Sequence, residues 1–175
     1  VEDNQGPTLT CPVNVTVSTD DYACSATYIA PRPGITNECS NVLKYVLSYN
    51  SFNQVDSEFV SLNVNQNTGE IKGLVVGNNW IKWTVTDECG NSSQCTYRVT
   101  VVDLVRPNAV CDRTTVTSIT GNGKAVVEAI TFDDGSVDNC GIFKYEVRKM
   151  TDRCGFGTTN YTPTVEFCCE EVGTT

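Results

Sequence analysis

Short runs of alternating apolar and polar residues, each closed by Gly, Asn, Asp or Pro, leave this chain few folds to choose from. "LTCPVNVTVST" alternates from Leu9 to Val17, "LKYVLSYN" covers Leu43 to Asn50, "WIKWTVTD" covers Trp80 to Asp87, and "TYRVTVVD" covers Thr96 to Asp103. "CSATYIAP" ends on Pro31 in the same manner. A period of two in segments rich in Val, Thr, Tyr and Trp is the pattern of half-buried strands. No long stretch keeps a helical period. Strands at this regular spacing predict an all-β chain built of immunoglobulin-like β-sandwiches.

The chain also repeats itself. Sliding it so that Val101 lies over Val1 sets "VVDLVRPNAVC" on "VEDNQGPTLTC", with Val, Asp, Pro and Cys in register. "DNCGIFKYEV" then meets "NECSNVLKYV" through Cys, Lys-Tyr and Val, with a one-residue gap. A repeat of this length means serial domains. We therefore divide the sequence into residues 1–6, the end of a preceding joint, residues 7–103, a first sandwich, and residues 104–175, a second. "VGTT" at Val172 falls on "VGNN" at Val76, so Thr175 sits just before the position of Trp80. The second repeat thus lacks the counterpart of the hairpin "WTVTDECGNSSQCTYRVTVVD". A sandwich without its last hairpin exposes a core face and strand edges. Two explanations account for it. The chain is a piece of a longer tandem array, or the missing strands come from an identical subunit, as in donor-strand filaments.

Composition narrows the setting. The 175 residues include ten Cys and no His, with a formal net charge of −9. Cysteines at loop-like spacings imply disulfides and an oxidising compartment, so the chain is read as secreted or at the cell surface. The absence of His argues against zinc knuckles and removes a Ser-His-Asp relay. An acidic chain does not favour nucleic acid, and no apolar run is long enough to span a membrane. No signal peptide precedes Val1, which reads as the end of a strand in a processed or longer protein.

The succession "GPTLTCP", "CSATYIAPRP", "NECS" and "VGNNWIKWTVTDECGNSSQCTYRVTVVD" resembles the hyalin repeat. That family is an immunoglobulin-like module of secreted and cell-surface proteins, implicated in adhesion. The resemblance covers the first repeat from end to end. "VDNCG" and "FCCEEVG" in the second resemble divergent repeats in large surface proteins of Bacteroidetes-type bacteria. The second repeat departs from the family pattern in lacking a counterpart of Cys24 and the terminal hairpin. The resemblance implies a structural or adhesive role and carries no catalytic residue.

An immunoglobulin-like strand order gathers Cys11, Cys39, Cys89 and Cys95 at one end. Pairing Cys39 with Cys89 and Cys11 with Cys95 fits that order, although sequence alone does not fix connectivity. Cys24 lies at the opposite end and is left over. In the second repeat, Cys111, Cys140, Cys154, Cys168 and Cys169 again make an odd number. Neighbours on a strand face opposite ways, so Cys168 and Cys169 serve different partners and one of them bonds Cys154. Partners of Cys111 or Cys140 are sought in the absent hairpin. Each bridge contributes about 2–4 kcal/mol. No CxxC motif supports redox catalysis.

Carboxylates collect at the ends of the predicted strands: Asp3, Asp87, Glu88, Asp103, Asp133, Asp134 and Asp138. Calcium takes six to eight hard oxygens and is often bound at joints between extracellular modules. A joint-stiffening calcium is one reading; acids that satisfy turns are the other. "DDGSVDNCG" lacks the terminal Glu of an EF-hand loop. Nothing marks the cleft that paired carboxylates need for acid–base catalysis, so no enzyme activity is expected. Of the aromatics Tyr45, Trp80, Trp83 and Tyr97, core packing accounts for Trp80, Tyr45 and Tyr97, whereas a carbohydrate platform requires several exposed on one face. Asn14, Asn91 and Asn160 head glycosylation sequons. The expected role is an extracellular structural or adhesive module, extended by neighbouring repeats or identical subunits, with a cell-surface or glycan ligand. The alternative is a carbohydrate-binding or accessory module of a secreted enzyme.

Overall fold

The computed structural model describes residues 3–36, 43–51, 58–155, 157 and 160–173. The chain is all-β, as the alternation predicts, and divides into two compact units, Val1–Val105 and Arg106–Thr175.

Among the described residues, the first unit holds nine strands: β1 (Thr8–Thr10), β2 (Val15–Ser18), β3 (Ser25–Ile29), β4 (Gly34–Thr36), β5 (Lys44–Asn50), β6 (Val64–Asn65), β7 (Glu70–Val75), β8 (Gly77–Thr86) and β9 (Ser92–Val102). A four-stranded sheet has the order β2-β9-β8-β5, and a three-stranded sheet the order β3-β7-β6. A short ladder joins β1 to β4. β8 and β9 form the long antiparallel hairpin, paired from Gly77 opposite Val101 to Thr86 opposite Ser92. β2 runs parallel to β9, with Val15 opposite Val99.

The alternation decides what is buried. On β8 the inward residues are Asn79, Ile81, Trp83 and Val85, and on β9 they are Cys95, Tyr97, Val99 and Val101. These residues, Asn79 and Val85 apart, meet Leu47 and Tyr49 of β5 and Ala26, Ile71 and Leu74 of the other sheet in one core. Burying each such aliphatic side chain contributes about 1.5–3 kcal/mol. The core tryptophan is Trp83. Trp80 is only half-buried, because it stands three positions from Trp83, an odd step that strand geometry turns to the outer face.

Two devices keep the sheets in register. Between Ala26 opposite Leu74 and Tyr28 opposite Ile71, β7 uses one residue more than β3. This bulge contains Gly73, with φ of 80°, and it returns both Ile71 and Leu74 to the core face. At the outer edge of β5, the Gln66 side chain imitates a strand. Its Oε1 accepts the Leu47 N–H at 2.7 Å, and its Nε2 donates to the Leu47 carbonyl at 2.8 Å. That closes an edge which would otherwise invite pairing.

Among the described residues, the second unit has one antiparallel ladder, β10 (Lys124–Glu128) with β11 (Thr164–Cys168). Isolated bridges link Asn108 with Val137, Cys111 with Asp133, and Val147 with Thr162. Ala125, Val127, Ala129 and Val165 are its buried apolar residues. Short 3-10 turns span Ala129–Phe132 and Cys169–Glu171. Among the described residues, no helix is long and apolar enough to cross a membrane.

Candidate functional site

The hairpin turn between β8 and β9 places Asp87, Glu88, Cys89 and Asn91 at one end of the first unit. Asp87 is buried. Its carboxylate accepts the Asn91 backbone N–H at 2.8 Å and the Asn91 side-chain Nδ2 at 3.1 Å. Nδ2 of Asn91 also donates to the Asp3 carbonyl at 3.1 Å. Burial pushes the Asp87 carboxyl up, but the donors of Asn91 and the N–H groups of Cys89 and Gly90 outweigh it and hold the group below its ordinary value. Asp87 therefore fastens the turn, while Glu88 is exposed. Asp3 and Asp87 are thus brought together through Asn91.

The other carboxylates lie apart from this pair. Asp103 follows β9 and accepts Thr19 Oγ1 at 3.0 Å and the Val105 N–H at 3.1 Å. An eleven-residue strand separates it from the turn by about 35 Å. Asp133 accepts the Ser136 N–H at 3.0 Å. The Ser136 side chain and backbone hold its carboxyl below its ordinary value. Asp134 donates its backbone N–H to the Val110 carbonyl, and Asp138 accepts the Cys140 N–H at 2.9 Å. Among the described residues, none of the acids expected for calcium converge as a set of three. Asp3, Asp87, Asp103, Asp133 and Asp138 each accept a donor in a turn instead. The convergent group that is present, Cys154, Cys168 and Glu171, holds two sulfurs already joined to each other.

The cysteines carry more of the architecture. Cys11 and Cys95 form a disulfide with Cα atoms 5.6 Å apart. The parallel register of Val15 opposite Val99, continued back by four residues, sets Cys11 opposite Cys95. Cys24 is disulfide-bonded and so is not left over as expected. Cys39 lies outside the described residues, and with it the Cys39–Cys89 pairing; Cys89 is exposed on the turn. In the second unit Cys154 bonds Cys168. Cys140 is disulfide-bonded too, so it does not wait for a partner in an absent hairpin. Cys111 and Cys169, expected in bridges, are exposed thiols. The other cysteines of their unit, Cys140, Cys154 and Cys168, are already engaged.

Asn14 is exposed, and its Oδ1 accepts the Arg98 N–H at 2.8 Å. Asn160 is exposed. The amide of Asn91 is committed to Asp3 and Asp87, so the folded turn does not present it for glycosylation. The aromatics do not build a platform. Trp83 and Tyr97 are in the core, Tyr45 packs edge-on against Trp83 at 6.1 Å, and Trp80 is half-buried on the outer face.

A buried cation escaped the sequence reading. Lys149 Nζ lies 2.6 Å from Glu171 Oε1, 3.3 Å from Asp152 Oδ1 and 2.9 Å from the Glu166 carbonyl. All three charged side chains are more than nine-tenths buried. The Gly157 N–H above all, with the Cys154 N–H and Lys149, holds Asp152 below its ordinary value against the effect of burial. Burial pushes Glu171 up, but Lys149 and the N–H groups of Arg153 and Cys168 bring it below its ordinary value. The signal was a Lys at an inward position of the alternating run Tyr145, Val147, Lys149, with an acid three residues on. A cleft of about 220 Å³ in the same unit is lined by Cys111, Ala129, Phe132, Ile142, Tyr145 and Val147, among others.

No family model matches this sequence, and no curated protein matches it. Among solved structures, the crystal structure of the human desmocollin-1 ectodomain matches at 21% identity, over 83% of this chain and 26% of that one, with a TM-score of 0.33. The chain spans about a quarter of that ectodomain chain.

Proposed function

We propose that the chain is an extracellular structural and adhesive module of hyalin-repeat type, acting by bearing load rather than by catalysis. The observation that carries this reading is the disulfide between Cys11, four residues before β2, and Cys95 of β9, the parallel neighbour of β2. With the bridge open, tension applied at the two ends of the first unit pulls β2 by its start and β9 by its finish. Parallel neighbours loaded this way are sheared, so their hydrogen bonds resist together instead of opening one at a time. The bridge adds a covalent limit, because the residues between Cys11 and Cys95, a separation of 84, lie outside the load path while it is intact. Disulfides of this kind persist in oxidising compartments, which supports a secreted or cell-surface location.

The second unit supports a role for neighbouring repeats. Val116, Val126, Ile130, Phe143 and Met150 are exposed apolar residues of this unit. An adjoining repeat or subunit packed on the unit would cover some of them.

Single-molecule stretching of the chain tests the load-bearing role. With the bridge intact, unfolding the first unit releases only the chain outside residues 11–95. Reduction adds a contour length of about 300 Å, at roughly 3.5 Å per residue for the 84-residue separation. Equal extensions with and without reductant would overturn the reading.

A further inference from the structure

The offset that lays Cys111 over Cys11 also lays Lys144-Tyr145 over Lys44-Tyr45. In the first unit, both reference residues are engaged by the hairpin of β8 and β9. Cys11 is bonded to Cys95 of β9, and Tyr45 packs edge-on against Trp83 of β8 at 6.1 Å. Among the described residues of the second unit, their counterparts meet no such hairpin. Cys111 is an exposed thiol, and Cys111 and Tyr145 line one apolar cleft of about 220 Å³ together with Phe132, Ile142 and Val147. β5 pairs with β8 from Lys44 to Asn50. The corresponding stretch 144–150 keeps the same alternation, with Tyr145, Val147 and Lys149 inward, yet it belongs to no described strand. Its described bridge, Val147 with Thr162, falls at the counterpart of Leu47, two positions before that of Tyr49, whose bridge to Val60 lies on the edge of β5 opposite β8.

We infer that this cleft is the seat of a β-hairpin of the β8–β9 type, carried by a neighbouring repeat and ending in a disulfide to Cys111. The occupant's chemistry follows from the first unit. One strand lays an aromatic on Tyr145. The next carries a cysteine followed by apolar residues at every second position, as Cys95, Tyr97, Val99 and Val101 do. A second copy of this chain does not supply it, because Cys95 is 2% exposed and already bonded. Closing the bridge removes two protons and two electrons from the two thiols. A small-molecule disulfide such as oxidised glutathione accepts them and becomes two thiols. The inference deepens the reading of the chain as a module of linked repeats. Its test is independent of the stretching experiment, which reports on the first unit alone.

The probe is a synthetic peptide of residues 77–102 with Cys89→Ser, so that Cys95 is its single thiol. It is mixed with the intact chain in a glutathione redox buffer, and the adducts are mapped by mass. The peptide is expected to couple to Cys111 about tenfold more than to Cys169, and about tenfold more than a control peptide with Ile81, Trp83, Tyr97 and Val99 replaced by Ser, the ratio that about 1.4 kcal/mol of recognition gives. A Tyr145→Ala chain couples less. Equal coupling of the two peptides, or equal coupling at Cys111 and Cys169, shows only a reactive surface thiol and overturns the inference. Chain-to-chain dimers through Cys111 that outcompete the peptide overturn it as well.

Discussion

The indole Nε1–H of Trp83 donates to the carbonyl oxygen of Pro31 at 2.9 Å, which ties the middle of β8 to the segment between β3 and β4. Trp83 is fully buried, so this hydrogen bond satisfies a polar group that has no access to water. The Tyr45 ring stands edge-on to it, and the Arg32 guanidinium lies 4.7 Å from the Tyr45 centroid. Trp83→Phe keeps most of the ring but leaves the Pro31 carbonyl unpaired and opens a small void. We predict a loss of about 1–3 kcal/mol in denaturant unfolding of the first unit, against about 3–5 kcal/mol for Trp83→Ala. Trp80→Phe, on the outer face, should cost clearly less than Trp83→Phe; equal costs would contradict the assignment of the core tryptophan.

Two glycines with nearly the same φ separate strain from collision. Gly69 has φ of 79° and Gly73 has φ of 80°. A Cβ on Gly73 meets nothing within 4 Å, whereas one on Gly69 would lie 2.5 Å from the Ala30 carbonyl oxygen. Gly73→Ala should cost about 1 kcal/mol, the cost of holding a side chain in left-handed backbone. Gly69→Ala must also push β7 away from Ala30, whose N–H donates to the Gly69 carbonyl at 2.8 Å. Its loss in chemical denaturation should exceed that of Gly73→Ala severalfold.

The strands were legible because each carries its own alternation: the buried set Ile81, Trp83, Val85 can be read from β8 without its neighbours. Pairing was legible in part: an immunoglobulin-like strand order put Cys11 with Cys95, the bond that the parallel register of β2 on β9 allows, but it left Cys24 over, which is bonded. Trp80 was misplaced because periodicity gives two faces without saying which is inward. The carboxylates were legible as a list but not in their roles. Asp87 becomes a turn fastener only when Asn91 and Asp3 come within reach of one another. The Lys149 cage joins Lys149 to Asp152 three residues on and to Glu171 far along the chain, so a local pattern offers Asp152 but not Glu171.

The hairpin turn gives a pH dependence. Asp87 has a folded value below its ordinary one, so it binds a proton less readily in the native state than in the unfolded state. Its stabilisation is present above the ordinary carboxylate pKa of about 3.9 and is lost as pH falls through the folded value. Asp87→Asn should lower the melting temperature at neutral pH and narrow its gap from the native chain as the buffer is acidified below about pH 4. A gap that stays constant across that range would assign the loss to packing rather than to the ionised carboxylate.

Lys149 sits among Asp152, Glu171 and the Glu166 carbonyl, with its Nζ 5.0 Å from the Phe167 ring centroid. Removing one partner from a buried ionic set costs more than the set itself contributes, because the remaining charges stay desolvated and unpaired. Lys149→Met leaves two carboxylates facing each other, and like charges at close range raise the pKa of at least one. The sign of the pH dependence then reverses. In the native chain Asp152 and Glu171 are held below their ordinary values, so their stabilisation is lost only as pH falls through those depressed values. In Lys149→Met a carboxylate is raised above its unfolded value, so mild acidification from neutral to about pH 5 relieves the repulsion. The variant should melt several degrees lower than the native chain at neutral pH and recover part of that difference near pH 5, while the native chain stays level. Adding Glu171→Leu to Lys149→Met should restore stability at neutral pH without acid. A Lys149→Met variant with a pH-independent deficit would mean that the cage stabilises through packing on Phe167 rather than through its charges.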